Sequence, residues 1–171
     1  MLHAYVATST EDIVAADGIV LESRNYPNHF AKREAHSKGD ILRIGQNGFT
    51  ILKPFPQKHF FETMYQPISL ACDDRLLRHI NWRCHLQPLP PQTDRERDLY
   101  DGDSVFDVMA HPWSEPQEYY FSFVGRANRN DNKKVYLRHY GYVLHVGVEE
   151  TGVFREDCAF RVWCIPDDDT F

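Results

Sequence analysis

In Tyr142-Val143-Leu144-His145-Val146 the even positions are apolar and the odd ones mixed. That period of two belongs to a half-buried strand. Trp82, Cys84 and Leu86 repeat the apolar face, with Arg83, His85 and Gln87 opposite, which predicts His85 and His145 on the solvent side or along the wall. Phe106 with Val108, and Phe160 with Val162, mark the inner faces of two more strands. The single helical stretch, Glu11 to Ala16, is short. Aromatic residues at 13% and ten prolines agree with short strands and many turns.

The strands recur as sets. Leu77-Arg78-His79-Ile80-Asn81-Trp82-Arg83-Cys84-His85-Leu86 returns as Leu137-Arg138-His139-Tyr140-Gly141-Tyr142-Val143-Leu144-His145-Val146. Downstream, Tyr100-x-x-Asp103-x-x-Phe106 is matched by Phe154-x-x-Asp157-x-x-Phe160, and more weakly by His59-x-x-Glu62-x-x-Tyr65. An internal repeat of this kind constrains architecture before any local motif does. The predicted fold is all-β, a β-trefoil of three pseudo-symmetric four-stranded repeats at 19–67, 68–115 and 116–166. Residues 1–18 form an N-terminal extension, and 1–171 is one domain. Three such units close a barrel without an open sheet edge.

A formal charge of −6 argues against general nucleic-acid binding, which needs a basic stripe. No run of eighteen apolar residues is present, so no membrane span is expected. The opening Met1-Leu2-His3-Ala4-Tyr5-Val6 lacks the regions of a secretory signal, which points to the cytoplasm if Met1 is the native start and otherwise leaves the compartment open. Cys72, Cys84, Cys158 and Cys164 form no Cys-x-x-Cys pair and are expected to be reduced and structural.

His79 and His139 stand where a strand begins, and Asp103 and Asp157 open the last strand of the same repeats. Converging on one hollow, such a pair suits a saccharide: the carboxylate accepts from two neighbouring hydroxyls, and a neutral imidazole serves a third. Tyr136 or Tyr140 would cover the ring carbons. A purely structural role stands beside this one, with Arg-His and the later acid forming a salt bridge that closes each repeat. The two histidines within a repeat lie about 20 Å apart if the segment is extended, too far to share a metal, and no cofactor or metal is expected. No nucleophile with a base partner is evident, and repeated acids spread around a barrel do not face one another as glycosidase carboxylates do, so catalysis is not expected.

Glu22-Ser23-Arg24-Asn25-Tyr26-Pro27, Val135-Tyr136-Leu137-Arg138-His139-Tyr140 and Phe154-Arg155-Glu156-Asp157-Cys158-Ala159-Phe160-Arg161-Val162 resemble the repeat signatures of the AbfB-type carbohydrate-binding family, the non-catalytic module of many α-L-arabinofuranosidases. The resemblance covers about residues 19–165. It implies an arabinofuranose pocket at His139 with Asp157 and another at His79 with Asp103, with Tyr136 and Tyr140 contributing to the third repeat. It also implies an extracellular setting and a polysaccharide or glycan partner. The first repeat departs from the pattern: Arg33 (or Glu34, if the gap is placed differently) replaces histidine and Glu62 replaces aspartate, so no such pocket is expected there. Polar insertions at 88–98 and 126–134 open an alternative, a degenerate module that binds a protein partner and no sugar.

Overall fold

The computed structural model describes residues 3–56, 66–88, 103–110, 118–123, 135–148 and 157–166. Glu62, Tyr100, Phe154 and both insertions (apart from Pro88) lie outside the described residues. A short strand β1 (Tyr5–Val6) precedes α1 (Thr10–Ala15), close to the expected helix. Ser9 caps α1, its hydroxyl accepting from Asp12 N at 3.2 Å, while the Asp12 carboxylate accepts from Thr8 N at 2.9 Å. Twelve further strands follow among the described residues: β2 (Gly18–Ser23), β3 (Phe30–Glu34), β4 (Ile41–Gly45), β5 (Lys53–Pro56), β6 (Pro67–Cys72), β7 (Arg75–Ile80), β8 (Arg83–Pro88), β9 (Phe106–Ala110), β10 (Tyr119–Phe123), β11 (Val135–Tyr140), β12 (Val143–Val148) and β13 (Phe160–Ile165).

The chain is all-β but is not the expected β-trefoil of three four-stranded repeats. Ten strands close an antiparallel barrel in the order β13-β2-β3-β4-β12-β8-β7-β6-β9-β10 and back to β13. Three strands stand off this ring: β1 pairs with β13, β5 with β6, and β11 bridges β12 and β10. Unequal pairing of the three stretches is the cause. β5 carries Pro54 and Pro56, which have no N–H to donate, and it pairs with β6 alone. β11 spends a full six-pair register on β12 and only two pairs on β10. The core inside is apolar: Phe121 meets Phe106 edge-on at 6.4 Å and Phe160 at 6.2 Å, all three fully buried.

Three hairpins lock one another at the turns. Leu86 N donates to Asp40 O (2.7 Å), Val146 N to Trp82 O (2.7 Å) and Ile44 N to Tyr142 O (2.6 Å). Each turn carbonyl thus docks on the outgoing strand of the next hairpin, so β3–β4, β7–β8 and β11–β12 form a closed cycle. The β7–β8 turn has both central residues left-handed, Asn81 at φ 48° and Trp82 at φ 76°; the β11–β12 turn repeats this with Gly141 at 56° and Tyr142 at 66°. A bulky side chain there costs about 1–2 kcal/mol. Cys84, Leu86, Leu144 and Val146 face inward as expected, but Trp82 and Tyr142 do not, because the turn throws both rings outward.

In the β3–β4 turn, Gly39 sits at φ 112°, and a Cβ built on it would drive into the Leu86 carbonyl oxygen. Gly39→Ala therefore strains the backbone and pushes this turn off β8. A loss of about 2 kcal/mol or more is expected in denaturant unfolding, and an unchanged midpoint would contradict the docking.

Candidate functional site

The third copy of the repeated motif builds its pocket with a loop from the far end of the sequence. Leu137 and Leu144 pin the β11–β12 hairpin to the core, and the register pairs His139 with Leu144. β13 follows directly from Asp157 and pairs with β2 from Phe160↔Ser23 to Ile165↔Gly18, which brings the 24–29 loop over the β11–β12 hairpin. The Asp157 carboxylate accepts from Arg138 Nη2 at 3.0 Å through Oδ2 and from Asn25 Nδ2 at 2.9 Å through Oδ1. His139 Nε2 lies 3.7 Å from Asp157 Oδ1 and shares a 3.0 Å hydrogen bond with the Ser23 hydroxyl. Ser23 Oγ also accepts from Tyr26 N at 3.2 Å, and Glu22 holds the same loop through Asn28 N at 2.9 Å. Glu22 is itself buried and accepts from Trp163 Nε1 at 2.8 Å.

Aromatic rings stand beside this polar centre. Tyr26 lies 5.5 Å from the His139 ring and 5.2 Å from Tyr142, and its hydroxyl bond to Tyr142 raises its pKa above the ordinary phenol value. Of the two tyrosines expected from the sequence, Tyr140 is 69% exposed, with the Arg138 guanidinium 5.7 Å from its ring centre. Tyr136 is instead buried, edge-on to Tyr120 at 5.0 Å and clustered with Cys158. It offers no open ring face.

The second copy reproduces the polar centre closely. Arg78 Nη2 donates to Asp103 Oδ2 at 3.0 Å, and His79 Nε2 lies 3.6 Å from Asp103 Oδ1. Register places His79 opposite Cys84, as His139 stands opposite Leu144. Arg78 also donates to Gln87 Oε1 at 3.3 Å. Where the third copy has Tyr140, the second has the half-buried Ile80.

In the first copy the register puts Arg33, not Glu34, in the histidine position, opposite Leu42. Its guanidinium donates to Asp40, to Asp73 Oδ2 at 3.0 Å and to Cys72 Sγ at 3.5 Å. The bond to Asp40 raises the Arg33 pKa and lowers that of the carboxyl. Nearby, an open cavity of about 320 Å³ is lined by Lys32, Arg33, Glu34, Arg43, Gly45, Gln46 and Asn47.

His139 and His79 are almost wholly buried, and that burial lowers both pKa values, opposed by the neighbouring aspartate and reinforced by the adjacent arginine. Both rings are therefore neutral near pH 7 and able to donate at one nitrogen and accept at the other. Of its two expected positions, His85 does not take the solvent-facing one. It is buried, its Nδ1 2.8 Å from Gly39 O and its Nε2 accepting from Arg83 Nε at 3.1 Å, so it fastens the β3–β4 turn. His145 is half-buried, with Nδ1 2.9 Å from Val143 O. All four cysteines are free thiols, three of them buried. Among the described residues no group of three His, Cys, Asp or Glu side chains is placed to hold a metal. No helix among the described residues is long and apolar enough to cross a membrane.

Sequence reasoning did not assign Ser23, Asn25, Tyr26 and Tyr142 to this pocket. The signal was there: Ser23-Arg24-Asn25-Tyr26-Pro27 is a distinctive stretch, but its order in the chain attached it to the first repeat.

No family model and no curated protein matches the chain. Its fold is that of part of two solved structures, each at 16% identity over 86% of this chain. One is a point mutant of GH54 α-L-arabinofuranosidase soaked with 4-nitrophenyl α-L-arabinofuranoside (TM-score 0.58). The other is an arabinofuranosidase complexed with arabinofuranosyl-α-1,2-xylobiose (TM-score 0.57). The match spans 31% of each of those chains, so this chain corresponds to about a third of their length.

The lowered histidine pKa values set the sign of a pH effect. Between their folded values and the ordinary 6.5, the unfolded chain binds more protons, so stability is in place above pH 6.5 and drains as pH falls below it. Denaturant midpoints are expected to drop between about pH 7.5 and about pH 5.5, above the range where most carboxylates titrate. The double variant His79→Gln, His139→Gln should flatten that slope; stability that rises on acidification would contradict the assignment.

Proposed function

We propose that this chain is a non-catalytic carbohydrate-binding module whose principal pocket takes an arabinofuranose or similar sugar branch between His139, Asp157 and the ring of Tyr140. A second pocket of the same design lies at His79 and Asp103. The observation that carries the reading is the twin polar centre: two strands far apart in the chain hold arginine, histidine and aspartate at 3.0 Å and 3.6–3.7 Å separations. A salt bridge that only closed a repeat would need the arginine and the aspartate; it would not need a buried neutral imidazole at the same carboxylate. Asp157 has one bond to each oxygen and keeps capacity for a hydroxyl at each.

The fold shared with a third of the arabinofuranosidase chains supports the saccharide class. An aspartate clamped by arginine is poorly suited to acid–base work, and hydrolysis of a glycoside needs a second carboxylate facing the first. We therefore place binding, not turnover, at this site. A single shallow site of this kind has a Kd on the order of millimolar, about −4 kcal/mol. Two sites on one barrel add avidity only toward a polymer whose branches match their spacing.

His139→Ala and Asp157→Asn test the site. Asparagine is chosen because its amide oxygen can still accept from Arg138, whereas alanine would leave the partly buried guanidinium with no acceptor there, a change that costs about 3–5 kcal/mol by itself. NMR titration with an arabinose-bearing oligosaccharide should show third-pocket affinity reduced about tenfold or more in either variant, with the fold retained by circular dichroism. Wild-type affinity in both variants would remove this pocket from the proposal.

A further inference from the structure

We propose that Trp82 is the stacking platform of the second site and gives it a different preference, for a pyranoside ring where the third pocket takes a furanose branch. The inference rests on the carbohydrate-binding reading above. Its starting point is a conformation that the fold does not explain. The β7–β8 turn needs a left-handed residue whose carbonyl accepts from Val146 N, and glycine or asparagine would serve that need without strain. The chain holds a tryptophan there, at φ 76°. Strain of this kind collects where a side chain has work beyond folding.

Trp82 is 43% exposed, and among the described residues its side chain makes no ring contact or hydrogen bond. Tyr142, in the equivalent place, leans on Tyr26 and through it on His139. By turn position Trp82 is therefore the second copy's counterpart of Tyr142, two residues before Cys84 of the His79–Cys84 pair in the register. The second copy has also exchanged the exposed Tyr140 for Ile80, which leaves the indole as its exposed ring among the described residues.

Chemistry then selects the ligand. In the third copy Tyr26 and Tyr142 meet at 45° with ring centres 5.2 Å apart, so neither offers a free-standing flat face. A lone indole presents a broad, flat π-face. A β-xylopyranoside carries its hydroxyls equatorially, so each face of the six-membered ring is a plate of C–H groups that lies flat on such a surface. Its rim hydroxyls would reach the His79 imidazole and the Asp103 carboxylate. Stacking of a flat ring on an aromatic side chain is typically lost on its removal with a tenfold or greater weakening.

The test uses the full chain carrying His139→Ala to silence the third pocket, with and without Trp82→Gly. Glycine relieves the left-handed strain, so thermal stability should hold or rise and a loss of binding cannot be ascribed to unfolding. Methyl β-D-xylopyranoside is titrated while the imidazole signals of His79 and the indole N–H signals are followed. Expected is a shift of the Trp82 and His79 signals, with affinity weakened about tenfold or more by Trp82→Gly. Affinity unchanged within about twofold in that variant would overturn the platform while leaving the wider reading intact. The same holds if methyl α-L-arabinofuranoside shifts His79 and the pyranoside does not. If neither sugar shifts any histidine, in this background or in the native chain, both proposals fall.

Discussion

Three backbone hydrogen bonds govern the rest of this molecule: the turn carbonyls of Asp40, Trp82 and Tyr142 accept from Leu86, Val146 and Ile44 respectively, in a closed cycle. A carbonyl at a hairpin tip can point onward to a neighbouring strand only if the backbone there reverses its hand. Gly39, Asn81-Trp82 and Gly141-Tyr142 supply that reversal, each with positive φ. Once the tips are docked, the strand positions behind them fall into register. Arg33, His79 and His139 then stand opposite Leu42, Cys84 and Leu144, at one depth beneath the turns. The positions of the candidate pockets follow from turn geometry before any side chain chooses a partner.

In the third copy the residues proposed for recognition also hold the fold together. Asn25 and Ser23 reach Asp157 and His139 across 132 and 116 residues of chain, so the pocket forms only when β2 has paired with β13. Long-range closure of this type costs chain entropy that local contacts do not return, and the Glu22 bonds to Asn28 and Trp163 help hold the loop once it has closed. A polar centre assembled from distant parts of the chain is held by the barrel itself, and the shallow sugar site proposed for it would gain from that preorganisation.

Much of the site was readable from residues alone, and the reasons for the misses are specific. The Leu-Arg-His duplication with an acid downstream correctly pointed to histidine and aspartate as neighbours, because copies of one motif inherit one local register. Arg33 was readable as the odd member for the same reason. The loop of Asn25 and Tyr26 was not placed, since order along the chain says nothing about which copy a loop will cover. Trp82 and Tyr142 fit an alternating apolar face by position, yet a two-residue turn ends the alternation before they are reached. The closure was misjudged because prolines in β5 and the short β10–β11 pairing break the equivalence of three units, an effect of hydrogen-bond supply that a repeat in side chains conceals.

The contrast between Arg33 and the two histidines shows what separates a staple from a pocket. All three sit at one register position, and each meets an aspartate. Arg33 is permanently charged, so its donors are drawn to Asp40 and Asp73 and the position is satisfied from within. His79 and His139 have lost charge to burial, the arginine one residue before each has taken the salt bridge instead, and the imidazole is left as a neutral group able both to give and to receive a hydrogen bond. A sugar hydroxyl needs that ambivalence, since it must donate and accept at once. The burial that makes these histidines costly to protonate is therefore the property that would suit them to a neutral ligand, whereas at the same place in the first copy Arg33 is drawn into an ion-pair network with Asp40 and Asp73.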